Sequence, residues 1–408
     1  MVAFYLYCAS FITFAIAVGG KRWSNRKPED HANRWGKIGF GLAVVGWIAH
    51  LTFFFTRWYG GGHIPTSNMY EFMTFLGMAI MFAFIIVHLI YRNMLLGAFA
   101  LPLVVIIVAY ASVFPSEVQP LIPALNNVWL KIHVTTAATG EAFFAVGFAA
   151  ALVQLIRVVD FTRTDKAGRR SQFWTEFSLF VIIVLVGFIV AVFAFRGAGY
   201  EASFTQEKVT IADDGTALSE VNKVEYSLPP LVAPYNSETV VFKPFLGMSK
   251  PLVEAPSWLN GVNAGRKLNT IIWSVIAGVI LYGILRLIAR KKLTAAIHPH
   301  LSDIDADDLE EISYRAIAIG FPIFTLGALI FAMIWAQIAW SRFWGWDPKE
   351  VWALITWLFY SAYLHLRLSR GWQGTRSAWL AVIGFLVVMF TLVGVNLVIA
   401  GLHSYAGA

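Results

Sequence analysis

Apolar stretches of about twenty residues recur from one end of this chain to the other, and nothing else in it constrains the fold as strongly. A run of that length crosses a hydrocarbon core of roughly 30 Å as one helix. Ten are legible, at about 2–18, 38–56, 70–90, 94–113, 134–156, 177–195, 270–289, 316–339, 350–366 and 378–400. Water is absent from the bilayer interior, so a spanning segment must satisfy its own backbone groups and is helical. The expected fold is an all-α polytopic membrane protein of about ten transmembrane helices. Composition agrees: 58% of the 408 residues are hydrophobic and 13% charged, against about 25% charged in a soluble domain.

Basic residues then set the topology. Lys21, Arg22, Arg26 and Lys27 follow the first span, Arg157, Arg163, Lys166, Arg169 and Arg170 the fifth, and Arg286, Arg290, Lys291 and Lys292 the seventh. Short turns on the other side carry only Arg57, Lys131, Arg342 and Lys349. The positive-inside rule puts both termini outside. It also accounts for a pI near 9.4 without nucleic acid as a partner. The first apolar run has no charged region before it, which reads as a retained helix and not a cleaved signal. With Cys8 the single cysteine, a disulfide framework and a CxxC pair are excluded.

Between the sixth and seventh spans, residues 196–268 alternate in short runs such as KVTIADDG and KVEYSLPP with several Pro and Gly, the pattern of a small outside β-rich cap. The inside linker 293–314 contains SDIDADDLEEI, readable as a capped amphipathic helix, although a solvated connector is the simpler reading. No repeat of 20–50 residues is visible.

The chemistry concentrates in WGWDPKEVWALITW, residues 344–357. Asp347, Pro348 and Glu350 have the spacing of a capping box with Pro at the first helical position, so a helix starts here. Six tryptophans, 335, 340, 344, 346, 352 and 357, crowd one membrane crossing. An interfacial aromatic belt explains one or two per crossing. Six at one crossing suggest a platform for a flat, greasy, conjugated ligand. Of nine histidines, His133 at the start of the fifth span and His403 after the tenth come out at the same outer edge. A lone interfacial histidine is ordinarily a belt residue, but two beside a tryptophan loop point to axial ligation of haem iron. His365 lies within the ninth span, where an ionisable group is a functional candidate by default. If it binds iron, its site is separate and deeper, with His88 or a histidine of another subunit as second ligand. Otherwise the spans offer few buried charges.

These segments resemble the CcsA (ResC) family, the haem-handling membrane subunit of system II cytochrome c biogenesis. The resemblance is carried by WGWDPKEVWALITWLFYSAYLHLR (344–367), with GGHIPTSNMYEF (61–72), LKIHVTTAATGEAFFAVGFAAAL (130–152), ISYRAIAIGFPIFTLGALIFAMIWAQIAW (312–340) and GVNLVIAGLHSY (394–405) in the expected order. It implies a multi-pass protein of the bacterial plasma (inner) membrane. It also implies haem b as transported substrate and ligand, held outside by His133 and His403 and within the membrane by His365, with a companion CcsB (ResB) subunit supplying a ligand. Trp344, Trp346, Asp347 and Trp352 then form the haem platform, with Arg342, Lys349 or Arg57 near the propionates. Apocytochrome c with reduced CxxCH thiols is the implied acceptor, thiol-reducing proteins are further partners, and the chain forms part of a holocytochrome c synthase with no catalytic residue assigned.

The resulting organisation is an N-terminal membrane bundle, 1–171; a span pair with the cap, 172–292, larger than compact family members accommodate; the linker, 293–314; and a tryptophan-rich haem-binding module, 315–408. A haem exporter without attachment activity is the alternative, followed by a haem-b electron-transfer subunit. The latter is disfavoured because no span carries two histidines.

Overall fold

The computed structural model describes residues 1–20, 27–92, 94–114, 116–118, 127–211, 217–259, 261, 263–302 and 304–395. Within the described residues all ten apolar runs form helices: α1 Val2–Gly19, α2 Pro28–Gly61, α3 Met69–Tyr91, α4 Met94–Ala111, α5 Val128–Val158, α6 Lys166–Gly197, α7 Ala264–Ala289, the rod α9 Ala306–Phe324 with α10 Ala332–Trp340, α11 Pro348–Arg370 and α12 Thr375–Met389. A short α8, Leu293–Ile297, precedes α9. Among the described residues, eight helical segments are long and apolar enough to cross a membrane. The chain is a multi-pass membrane protein.

Several helices overrun their apolar runs. α2 begins ten residues early, at Pro28, with Glu29 and Asp30 in its first turn, where acidic side chains suit the helix dipole. The stretch read as a solvated connector is in fact the capped start of α9. Asp305 caps it by accepting from the Asp307 N–H at 2.9 Å, and Leu309 and Ile312 are buried. An acidic stretch with apolar residues at helical spacing keeps its polar face in water and buries the other, so charge alone misjudged it.

The chain divides into two compact units, Met1–Thr175 with Thr294–Ala408, and Glu176–Leu293. In the first, α5 is the hub. It is apolar nearly all round, and from Ala138 to Ile156 every residue but Thr139 is buried, as a central helix must be. Its glycines let α9 approach backbone to backbone: a Cβ on Gly140 would lie 2.6 Å from the Phe324 nitrogen, and one on Gly147 2.8 Å from Ile317. The Ser313 hydroxyl donates to the Gly147 carbonyl at 2.8 Å in the same seam. Small residues and interhelical hydrogen bonds are how helices associate when lipid is as apolar as leucine.

Two helices of this unit widen. Between α9 and α10, Thr325–Phe331 is π-helical, and Phe390–Gly394 after α12 is too. Pro322, one turn before the first, has no N–H for the ladder, a local cause for the change of pitch.

The second unit pairs α6 with α7 through Gly187 and Gly278, whose backbones meet. The cap is a three-stranded sheet in the order β2-β1-β4, with β1 Ala202–Ile211, β2 Ala217–Tyr226 and β4 Ser237–Phe242 all antiparallel. A two-residue parallel pairing joins β3 Val232–Ala233 to β5 Val253–Glu254. Ala202, Phe204, Val224 and Tyr226 form the cap's core. Trp273 Nε1 donates to the Pro229 carbonyl at 2.7 Å, and Asn269 Oδ1 accepts from the Leu231 N–H at 2.8 Å, fixing cap to α7.

Candidate functional site

Residues spaced by four share a face of a helix, and α5 sets His133, Ala137 and Glu141 along one wall of a cavity. The π segment and α10 form the opposite wall with Ala328, Ala332, Trp335 and Ala336. Phe343 and Trp344 come from the tryptophan loop, Lys349, Glu350 and Ala353 from α11, Met69 and Phe72 from α3, and Thr391 and Leu392 from the second π segment. The cavity and the open solvent at its mouth together take in about 970 Å³ of non-atom space. Both widened helices contribute to its lining, and π-bulges recur at functional sites.

His133 Nδ1 lies 2.9 Å from the Gly327 carbonyl oxygen. A carbonyl only accepts, so Nδ1 carries the proton, and in the neutral ring Nε2 is then the nitrogen with the lone pair. The imidazole stacks on Trp335, with centroids 5.9 Å apart and planes 11° off parallel. Trp335 is 2% exposed and meets Trp340 edge-on at 4.6 Å. This seat depends on the glycine, because a Cβ on Gly327 would overlap the backbone of Ala137.

The loop is built by local chemistry. Asp347 accepts from the Lys349 N–H at 3.2 Å, and Glu350 Oε2 accepts from the Asp347 N–H at 3.2 Å and the Gly345 N–H at 2.7 Å. The capping box expected from DPKE is therefore present. Trp346 adopts a left-handed φ of 57°, uncommon for a bulky residue and a mark of an imposed conformation. It stands 69% exposed with its ring edge-on to Trp344 at 6.1 Å. Trp352 packs on Phe390, the first residue of the second π segment, with centroids 4.4 Å apart. Arg342 is exposed and lies against Gly345.

Thus His133, Trp344 and Lys349 meet at one cavity, with Trp346, Asp347, Trp352 and Arg342 in the loop and helix around its rim. His403 lies outside the described residues. His365 is exposed on α11, on a stripe with Ile355, Leu358 and Ala362. His88 is instead buried in an aromatic box, stacked on Phe40 at 4.4 Å with Phe14 and Phe84 beside it. Two lining residues were not singled out from sequence. Trp335 was hidden among six tryptophans. Glu141 is an acidic side chain within the fifth span and was legible as an intramembrane ionisable residue.

Comparison with known proteins gives a consistent picture. A family model described as cytochrome C assembly protein matches residues 66–195 and 270–403. The match takes in the helices on both sides of the cap and leaves out the cap. The chain is similar to the cytochrome c biogenesis protein CcsA of Nostoc punctiforme, 31% identical over 402 residues, 97% of this chain and 94% of that protein. The CcsA proteins of Trichormus variabilis and Gloeobacter violaceus are 32% and 29% identical, each over 90% of this chain and 87% and 86% of their own lengths.

Proposed function

The chain belongs to the cytochrome c assembly protein family and takes part in cytochrome c biogenesis, and from that premise we propose that it carries haem b and presents it in the cavity beneath the tryptophan loop. The observation that carries the reading is the His133 seat. An imidazole whose Nδ1–H is engaged by a carbonyl presents a basic Nε2 for a metal, with its ring orientation fixed. Haem iron is held by ligands of this kind. The mostly apolar lining with few polar groups suits a porphyrin, and Trp335 and Trp344 supply aromatic contact.

His403 is the second axial ligand in this proposal. Lys349, on the cavity wall, faces the propionates, with Arg342 at the rim. Arg57 is less suited, because it pairs with Glu71 at 2.8 Å. His365 belongs to a separate membrane site, and its exposure on α11 suits a ligand contributed by a CcsB-like partner subunit. Haem then moves from the His365 site to the outer cavity. At the cavity, the cysteine thiols of an apocytochrome CxxCH segment add across the two vinyl groups. Each S–H supplies its sulfur to one vinyl carbon and its proton to the other, so no electrons are gained or lost. The protein contributes orientation, and the porphyrin contributes the reactive groups.

The experiment is the visible spectrum, oxidised and reduced, of the chain purified in mild detergent beside His133→Ala. A low-spin b-type spectrum that is lost or shifted in the variant supports the proposal. An identical spectrum in both overturns it.

A further inference from the structure

Glu141 is an ionisable group for which the reading above has no use. It is 6% exposed, lines the cavity, and its Oε2 has no hydrogen-bond partner among the described residues. Burying a carboxylate without full compensation is expensive, so its place invites an account.

The groups that face it are few. Lys349 and Glu350 come from the first turn of α11, His133 from two turns earlier on α5 itself, and Tyr360 from deeper on α11. α3 contributes Met69 and Phe72, α9 contributes Phe324, and the π segments contribute Ala328, Thr391 and Leu392, none of them charged. Glu350 is committed to the backbone of the loop through Gly345 and Asp347. Lys349 is therefore the one lysine or arginine among the described lining residues; burial disfavours its charged form, and the charges of Asp347 and Glu141 oppose that.

A ligand bearing carboxylates brings further negative charge to a wall with that single ammonium. Once a ligand carboxylate pairs with Lys349, Glu141 loses its counter-charge in a surrounding that solvates ions poorly, and protonation is the least costly way to restore neutrality. We infer that Glu141 takes up one proton when an anionic porphyrin enters the cavity and gives it back on release, so that loading and handover are coupled to a proton. The inference rests on the proposal that porphyrin occupies this cavity with its carboxylates toward Lys349. No bond to carbon forms or breaks and no electron moves. The proton passes between bulk water and the Glu141 carboxyl. Because the loaded state binds one more proton, affinity is greatest at low pH and falls as pH rises.

The test uses the full chain in detergent and zinc protoporphyrin IX as probe, with Kd measured by fluorescence across the neutral pH range. In the wild type, Kd is expected to rise with pH more steeply than in Glu141→Gln, by up to about tenfold per pH unit. Comparing the two cancels the probe's own titration. The dimethyl ester of the probe leaves Lys349 with Glu141, so the difference between the proteins should vanish. Lys349→Met removes the counter-charge from the empty state and should flatten the slope as Glu141→Gln does, which keeps the inference testable if one variant fails to fold. Binding that depends on His133 but has equal slopes in wild type and Glu141→Gln overturns the inference alone, as does a slope difference that survives in the ester. Failure of the wild type to bind, or binding untouched by His133→Ala, overturns the cavity reading and this inference with it.

Discussion

An imidazole that gives its Nδ1 proton to a backbone carbonyl has its tautomer chosen for it, and in His133 the carbonyl is that of Gly327 in a widened turn of helix. Two outcomes follow at this scale. His133→Ala should remove most bound haem, and added imidazole should restore part of the absorbance by filling the emptied coordination position. Gly327→Val should also weaken loading without touching a ligand, since its side chain would overlap Ala137 and displace the carbonyl that orients the ring. Loss of one orienting hydrogen bond to a metal-bound histidine typically costs about 10–100-fold in affinity, measurable by haem titration. The sequence made part of this legible. His133 stood out by its depth beside the tryptophan loop, and the DPKE cap was readable because its bonds join residues within three positions of each other. Which tryptophans face the ligand was not readable. That depends on the rotation of α10 and α11, which puts Trp335 on the cavity and turns Trp352 toward Phe390.

Helix pairing turns these side chains into a site. α5 and the α9–α10 rod touch through Gly140, Gly147, Gly320 and Gly327, and this seam sets His133 against the π segment. Gly140→Val would force the Phe324 backbone away; overpacking of this kind costs about 1–3 kcal/mol, so thermal unfolding in detergent should start at lower temperature and haem content should fall with it. A second fastening lies toward the C-terminal end of α11. Arg367 pairs with Glu310, Glu310 Oε2 also accepts from the Gly374 N–H at 2.6 Å and from Gln154 Nε2 at 3.3 Å, and the guanidinium sits over Tyr314 at 4.4 Å. Glu310 is buried and Arg367 nearly so, so Arg367→Ala should destabilise by about 3–5 kcal/mol because it strands a carboxylate. Arg163→Ala, which removes an exposed pair with Asp165, should leave the melting temperature unchanged. Length and hydropathy in the sequence located each spanning helix of this arrangement, though not the first turns of α9. The π segments were not legible, because TLGALIF and FTLVG are ordinary apolar helix sequence and their widening arises where Pro322 and close neighbours intervene.

At the scale of the whole chain, the distribution of lysine and arginine carries a prediction that no single site can test. If the basic turns face inward, the cap at 202–254 and the tryptophan loop lie on one side of the membrane, and the segment around Ser302 on the other. That disposition matters for function, since a cavity on the outer side loads only what has crossed, and His365, toward the opposite end of α11 from Lys349, then marks the earlier stage of the route. Cys8 is the single native cysteine, so Cys8→Ser gives a background for site-directed labelling. Ser249→Cys, exposed after β4, should react in intact cells with a membrane-impermeant maleimide. Ser302→Cys, exposed between α8 and α9, should react only after the membrane is opened. The reverse pattern would put the cavity inside and make outward presentation of haem by this chain impossible. Labelling of both in intact cells would remove the basis for any sided transport. The expected pattern would leave one polarity for the path, from the His365 face of α11 toward the wall where His133 and Lys349 stand.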